Sequence, residues 1–303
     1  MILLDHRHIA DPYFNLATEE YLVRHADCSK QDILLLYVNG PSVVVGKNQS
    51  IYREVNLPYL RQTNLPVCRR VSGGGTVYHD AGNLSFAFIS AFADYKVNNY
   101  LHFNTPIIEA LRKAGIDAKA DARNNILAGE KKISGNAQFT DRKNLLSHGT
   151  LLFNAELAAL RGALKQNDFE VHTKAVGSVR SSVTNLIDLT DRWTDINAFI
   201  DYLIGELPVE GKYNFSVADE GAVGDLANEQ YRNFKWIYGR TPETILQKNG
   251  VRVTITEGCI SRIEQEGQTI LAELNDTPFT YTHLTKTPGL EPGAINLLVN
   301  LFF

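Results

Sequence analysis

The chain has 303 residues, of which 44% are hydrophobic and 21% charged, enough for a substantial core and for more than one domain. Its formal net charge of -4 argues against bulk electrostatic binding to nucleic acid, which needs a basic face. No apolar run approaches the roughly 18 residues of a membrane span, the charges in MILLDHRHIADPYF come too early for a signal peptide, and the odd, widely spaced Cys28, Cys68 and Cys259 suggest neither a disulfide framework nor a zinc site. The expectation is a cytoplasmic protein with reduced thiols that binds neither nucleic acid nor membrane.

In chain order, Asp11 followed by Pro12 is an N-cap and first-turn pair, and NLATEEYLVRHA after it predicts a helix. ILLLYVNG and SVVVG read as buried strands joined by the Asn39-Gly40-Pro41 turn. Thr105-Pro106 repeats the cap-and-proline signal and predicts a helix ending near Gly115. NNILAGEKKISG reads as two short strands folded about Ala128-Gly129, placing Lys132 on a strand that faces a pocket. HGTLLFN is an apolar strand, NAELAALRGAL a helix, and DINAFIDYLIGEL a further helix after Thr194. Turn residues dominate Tyr238 to Lys248, which puts a domain boundary there, between units 1–240 and 248–303. The second unit, opening on VRVTITEGCISRIEQEGQTILAEL, alternates like a small sheet. Hairpin strands between scattered helices make the fold class α+β, with a small C-terminal α+β unit.

The densest chemical signal is RRVSGGGTVYHDAGNLSF, Arg69 to Phe86. Gly73, Gly74 and Gly75 can take positive φ and let N–H groups converge on an anion, while Arg69 and Arg70 can supply planar charged forks and Ser72 a small donor. A lone glycine triplet is more often a turn between strands. Here it is followed by GEKKISGNAQF, Gly129 to Phe139, by HGTLLFN, His148 to Asn154, and by KAVGSVRSSVTNL, Lys174 to Leu186.

In order and approximate spacing these strings, with DPYFNLATEEYL, PSVVVGKNQ and FKWIYGRTP, resemble the lipoate-protein ligase A family over nearly the whole chain. The resemblance implies the biotin/lipoate ligase fold, like that of class II aminoacyl-tRNA synthetases, with a mixed sheet and flanking helices. It implies activation of lipoate with ATP and magnesium to lipoyl-AMP, then transfer to a lysine of a lipoyl domain of 2-oxoacid dehydrogenase complexes or of the glycine cleavage H protein, by a chain expected to be a monomer. Exposed Lys143 and Arg142 are expected to help receive the acceptor.

Joining a carboxylate to the α-phosphate of ATP brings two anions together, and a half-buried cation between them offsets the repulsion. Lys132 stands at the lysine of the family's K-x-S-G motif; lysines are usually solvated, and Ile133-Ser134-Gly135 moves this one toward function. On the same resemblance Arg70 and Ser72 to Gly75 hold phosphate, Thr76 and Val77 reach the adenine side, and His79 and Asn83 line the pocket. A packed histidine and a turn-stabilising asparagine remain equal readings for those two. His148 and Gly149 resemble lipoate-tunnel residues, with Gly74 and Lys132 at the same ligand. Lys174, Ser178, Val179 and Arg180 belong to a loop expected to order around the adenylate, although by composition it is an ordinary surface loop. Two positions depart from the family: Asn125 stands where an acidic residue follows Arg-Asn, a weaker ligand for a hard cation, and Phe139 stands where an arginine is usual, with Arg142 the nearest substitute. They keep open an acyltransferase of the same fold that takes lipoyl or octanoyl groups without ATP, and behind it a non-catalytic binder. A biotin ligase fits less well, since its GRGRxGR loop is absent. Cys68, the cysteine near the glycine turn, reads as a buried strand residue and not as a nucleophile.

Overall fold

The structure is a computed structural model that describes every residue except Thr287 and Leu290. A six-stranded mixed sheet orders Asn136–Thr140, Asn144–Leu152, Asn83–Ala91, Ile33–Val38, Ile2–His6 and Gly211–Lys212. The pairings are antiparallel as far as Ile33–Val38 and parallel beyond it. ILLLYV is buried at every position because both faces of its strand are covered. Side chains alternate across the sheet, so Leu34, Leu36 and Val38 pack with Phe103, Ile107 and Phe199, while Ile33, Leu35 and Tyr37 pack with Leu16, Leu22 and Val23.

Pro12–His25 is the helix on the second face, capped by Asp11, whose side chain accepts from the Tyr13 amide at 3.0 Å. The helix predicted from Thr105-Pro106 begins earlier. It runs Tyr100–Lys113, capped by Asn99, with Pro106 inside. Burial of Phe103, Ile107, Ile108 and Leu111 outweighs the backbone bond that Pro106 cannot donate. Ile196–Glu206 follows its Asp195 cap.

Two three-stranded sheets carry the motifs. One orders Val67–Arg69, Ser42–Val45 and Val77–His79; the other orders Ala118–Ala120, Ile126–Ala128 and Lys131–Ser134. The glycine turn links the outer strands of the first, and the second ends at the Lys132 hairpin. Within Tyr238 to Lys248, read above as turn, Thr244–Lys248 is a strand. It pairs with Glu170–Thr173 on one side and Val251–Thr256 on the other, in a five-stranded sheet completed by Cys259–Gln265 and Gln268–Thr269. This sheet packs with the C-terminal helix Pro292–Phe302 around Leu246, Val253, Phe279 and Phe302, and takes in Tyr52 and Leu57 from the N-terminal half. Tyr52 donates to the Gly258 and Phe279 carbonyls at 3.2 and 3.1 Å. No helix among the described residues is long and apolar enough to cross a membrane.

Candidate active site

Arg69 and Arg70 are not the outward-facing forks that their sequence position suggests. Arg69 is fully buried; it donates to the Gly46, Lys47 and Gln49 carbonyls at 2.9, 3.1 and 2.9 Å, to the Ile237 carbonyl at 2.7 Å and to Thr241 Oγ1 at 3.0 Å. Arg70 grips the glycine turn from inside, donating to the Gly73 and Gly75 carbonyls at 2.6 and 2.7 Å, to the Val44 carbonyl at 3.2 Å and to Ser72 Oγ at 3.0 Å. Burial holds both guanidinium groups down to about 10, and a buried fork this far from bulk water is satisfied by carbonyl oxygens. With those carbonyls drawn inward, the Gly73, Gly74 and Gly75 amides have no acceptor among the described residues. Only Gly74 of the three has positive φ, 87°, where a side chain would be strained. Arg70 thereby fixes a stretch of backbone whose unpaired amides could receive an anion.

Behind the turn runs a buried chain of hydrogen bonds. Ser72 Oγ lies 2.7 Å from His148 Nε2, His148 Nδ1 donates to Glu19 Oε2 at 2.8 Å, and Tyr37 Oη donates to Glu19 Oε1 at 2.9 Å. Glu19 comes from the helix Pro12–His25, and Tyr37 and His148 from the central sheet. His79 is buried and accepts at Nδ1 from Asn39 Nδ2 at 2.8 Å, which leaves its Nε2 hydrogen buried with no partner among the described residues. Burial, then Arg70 and His148, depress His79 to about 3, so it is neutral.

Two cavities meet at Lys132. The smaller, about 720 Å³, is lined by Leu16, Tyr37, Val44, Arg70, His79 and His148, and Gly73, Gly74 and Gly149 also border it. The larger, about 1170 Å³, runs past Tyr78, Leu152, Arg161 and Phe169, with Arg180 on its rim. Thr76, Val77, Lys132, Gly135, Ser178 and Val179 border both. A Cβ on Gly135 would fall 2.8 Å from Lys132 Nζ, so glycine is what lets the ammonium lie against the chain. Desolvation lowers the Lys132 pKa from the ordinary lysine value, with Asp121 acting against it and Arg70 adding to it. Nζ has no hydrogen-bond or ion-pair partner among the described residues. It is a half-buried cation open to a ligand.

Asn125 approaches the same place. Its Nδ2 donates to Asp121 Oδ2 at 2.8 Å, and its Oδ1 lies 4.0 Å from the point where a Gly135 Cβ would sit. Asp121 accepts further from the Arg123 and Asn125 amides. No group of three or more His, Cys, Asp or Glu among the described residues could hold a metal ion. Asn83 and Lys174 line neither cavity: Asn83 is buried with its amide unpartnered among the described residues, and Lys174 is exposed. Phe139 packs beside Lys47, whose ammonium lies 5.6 Å from its ring centroid, and Arg142 is exposed at φ 72° in the turn beyond. Tyr37, Gln49 and Glu54 border the cavities, with Glu19 and Asp121 behind them; Glu19 and Gln49 lie inside family strings that do not single them out, and no motif marks the other three.

Residues 11–208 match the family model of the lipoyl protein ligase A/B catalytic domain. The chain is 38% identical over 252 residues to lipoate-protein ligase LplJ of Bacillus subtilis, a match covering 80% of this chain and 75% of that one. A T. acidophilum protein solved with bound lipoic acid superposes at a TM-score of 0.64 with 26% identity, over 78% of this chain and 97% of its own. A lipoate-protein ligase A bound with ATP superposes at 0.64 with 27% identity, over 78% of this chain and 96% of its own. On its sequence and on its fold, the chain belongs to the lipoyl protein ligase A/B catalytic domain family.

Proposed function

We propose that this chain is an ATP-dependent lipoate-protein ligase, which activates lipoate to lipoyl-AMP and transfers the lipoyl group to a lysine of an acceptor lipoyl domain. One observation carries the reading: the Lys132 ammonium stands where two cavities join. The acid enters the smaller cavity and the nucleotide the larger. A carboxylate oxygen attacks the α-phosphorus, pyrophosphate leaves, and Lys132 offsets the charge gathering between them. The free amides of Gly73 to Gly75 receive phosphate oxygen, while Thr76 and Val77 border the nucleotide side. His148, held by Glu19, shapes the lipoate end with Gly149 and His79, and Ser178, Val179 and Arg180 close the junction. Asn83 and Lys174 act from outside the cavity walls. In the second step the neutral acceptor amine attacks the acyl carbonyl, AMP departs, and the amine's extra proton passes to solvent.

Magnesium would come bound to the phosphates and supply Lewis-acid charge there; among the described residues the neutral Asn125 oxygen, backed by the Asp121 carboxylate, stands nearest Lys132 to meet it. An acyl-thioester route has no support from the thiols. Cys28 and Cys68 are buried, and burial raises the pKa of all three cysteines, Cys28 to about 11. Residues 1–240 would form the catalytic unit and 248–303 an accessory unit. The acceptors are lipoyl domains of 2-oxoacid dehydrogenase complexes and the glycine cleavage H protein, met in the cytoplasm by a monomeric ligase.

The test is lipoylation of a purified apo lipoyl domain with lipoate, ATP and magnesium, run beside preformed lipoyl-AMP. Product in both reactions is expected. Product from lipoyl-AMP alone would turn the assignment to a transferase that does not use ATP.

A further inference from the structure

Residues 174–181 cross the junction of the two cavities as a strap: Gly177, Ser178, Val179 and Ser181 border both. Val176 and Val179 are exposed, so little apolar burial holds the strap down. What holds it is a small set of polar contacts centred on Ser178. The Ser178 hydroxyl accepts from the Thr76 amide at 2.9 Å and from Gln49 Nε2 at 3.0 Å, and donates to the Glu54 carboxylate. One donor and two acceptor sites are the whole capacity of a hydroxyl. The Ser178 amide also donates to Glu54, at 3.1 and 3.3 Å to its two oxygens. Next to Glu54, Arg53 donates to the Ala175 carbonyl at 2.9 Å. The receiving side is rigid: Gln49 Oε1 is fixed by the Gly46 amide and Thr76 Oγ1, and Arg69 ties down the Gln49 carbonyl. The helix Ile51–Glu54 is held from behind through Tyr52.

We infer that Glu54, acting through Ser178, is the catch that keeps this strap across the cavity junction and so retains the acyl-adenylate until the acceptor arrives. The retention part rests on the ligase reading above; the catch itself does not. Glu54 is a positioning residue, since it grips the strap and not the ligand. Releasing it opens both cavities along their common border and lets a bound anhydride escape or meet water.

Lys174 and Arg180 are exposed on the strap, which makes trypsin a direct reporter of its opening. On the full chain, with cuts mapped by mass spectrometry so that cleavage after Arg53 is set aside, Glu54→Ala should speed cleavage after Lys174 or Arg180 by about tenfold or more, the effect of removing a charged hydrogen-bond acceptor. Glu54→Gln keeps the size, guards against a folding defect, and should speed it severalfold. Ser178→Ala removes the hydroxyl's bonds to Thr76, Gln49 and Glu54 and should also speed cleavage, while keeping the amide bond to Glu54. Cleavage of both Glu54 variants at the wild-type rate overturns the catch. With lipoate and ATP but no acceptor, the wild type should stop near one equivalent of pyrophosphate per chain with lipoyl-AMP kept bound, and Glu54→Gln should continue, releasing pyrophosphate together with lipoyl-AMP or its hydrolysis product AMP. Equal release from both overturns the retention role. A wild type that forms no adenylate overturns the ligase reading, and the proteolysis still decides the catch.

Discussion

The two walls that face Lys132 are built in opposite ways. The wall of the smaller cavity is buried and bonded at each step, from Arg70 through Ser72 and His148 to Glu19 and Tyr37. The strap on the other side is exposed, and its grip depends on a few polar contacts to Glu54, Gln49 and Arg53. On the proposed reading, a fixed wall can orient an acid without reorganisation, and a strap can let a large nucleotide in and a product out. The site would then combine preorganisation on one side with movement on the other.

The largest effect is expected at Lys132, the point common to both walls. Lys132→Ala should lower the rate of adenylate formation by roughly 10²- to 10³-fold, as for other preorganised charge stabilisers, while the unfolding free energy changes by about 0.5 kcal/mol or less. Full adenylation by the variant would overturn its assigned role. Because burial depresses its pKa, adenylation should also fall on the alkaline side earlier than an ordinary lysine would dictate, as a rate profile from pH 7 to 10 would reveal.

Next comes the fixed wall. Arg70→Lys cannot reach the Gly73 and Gly75 carbonyls together, so ATP affinity should fall roughly 10- to 100-fold, about 1.5–3 kcal/mol. Unchanged binding by calorimetry would mean that the glycine turn holds its shape unaided. Glu19→Gln removes the charge that His148 donates to and should destabilise the chain by about 1–3 kcal/mol, read as a lower denaturant midpoint. Unlike the Glu54 variants, it should leave trypsin cleavage of the strap unchanged.

Much of this architecture was legible because it is local. The Asp11 cap, the two buried strands after it and the Lys132 hairpin follow from turn residues and apolar runs, and all form. The glycine turn was found in the right place, but residue type could not say which way its arginines point. Arg69 is held by Ile237 and Thr241, more than 160 positions away, and no spacing rule encodes such a partner. Asn83 shows the same limit, since its motif position leaves pocket-lining and turn-stabilising readings equal, and its side chain lines neither cavity. Glu19 carried one faint signal, standing three residues after Leu16 and three before Leu22 on the apolar face of its helix. Glu54 carried none; its meaning comes from the strap, 124 positions later. The helix expected from Thr105 forms and ends where expected, but starts earlier, because Pro106 mimics a first-turn proline while the apolar face that decides the helix begins at Phe103.

A pH-dependent handle on the fixed wall is His79, its neutral imidazole. Its folded value, about 3, lies below the ordinary histidine value of 6.5. The unfolded chain therefore takes up a proton below that ordinary value which the folded chain refuses. The stability tied to His79 is fully present above pH 6.5 and is lost progressively as pH falls toward 3, by up to about 1.4 kcal/mol per pH unit. His6, depressed to about 4 mainly by its own burial, slopes the same way, and the carboxylates add to the acid limb, so the wild-type curve alone cannot isolate one group. His79→Gln can, because it removes one titrating site and leaves the others. Urea midpoints taken from pH 7 down to pH 4 should converge, the variant being less stable at neutral pH and losing less on acidification. Parallel curves would mean that His79 picks up its proton in the folded wall as well, and that the wall is wetter than its hydrogen bonds imply.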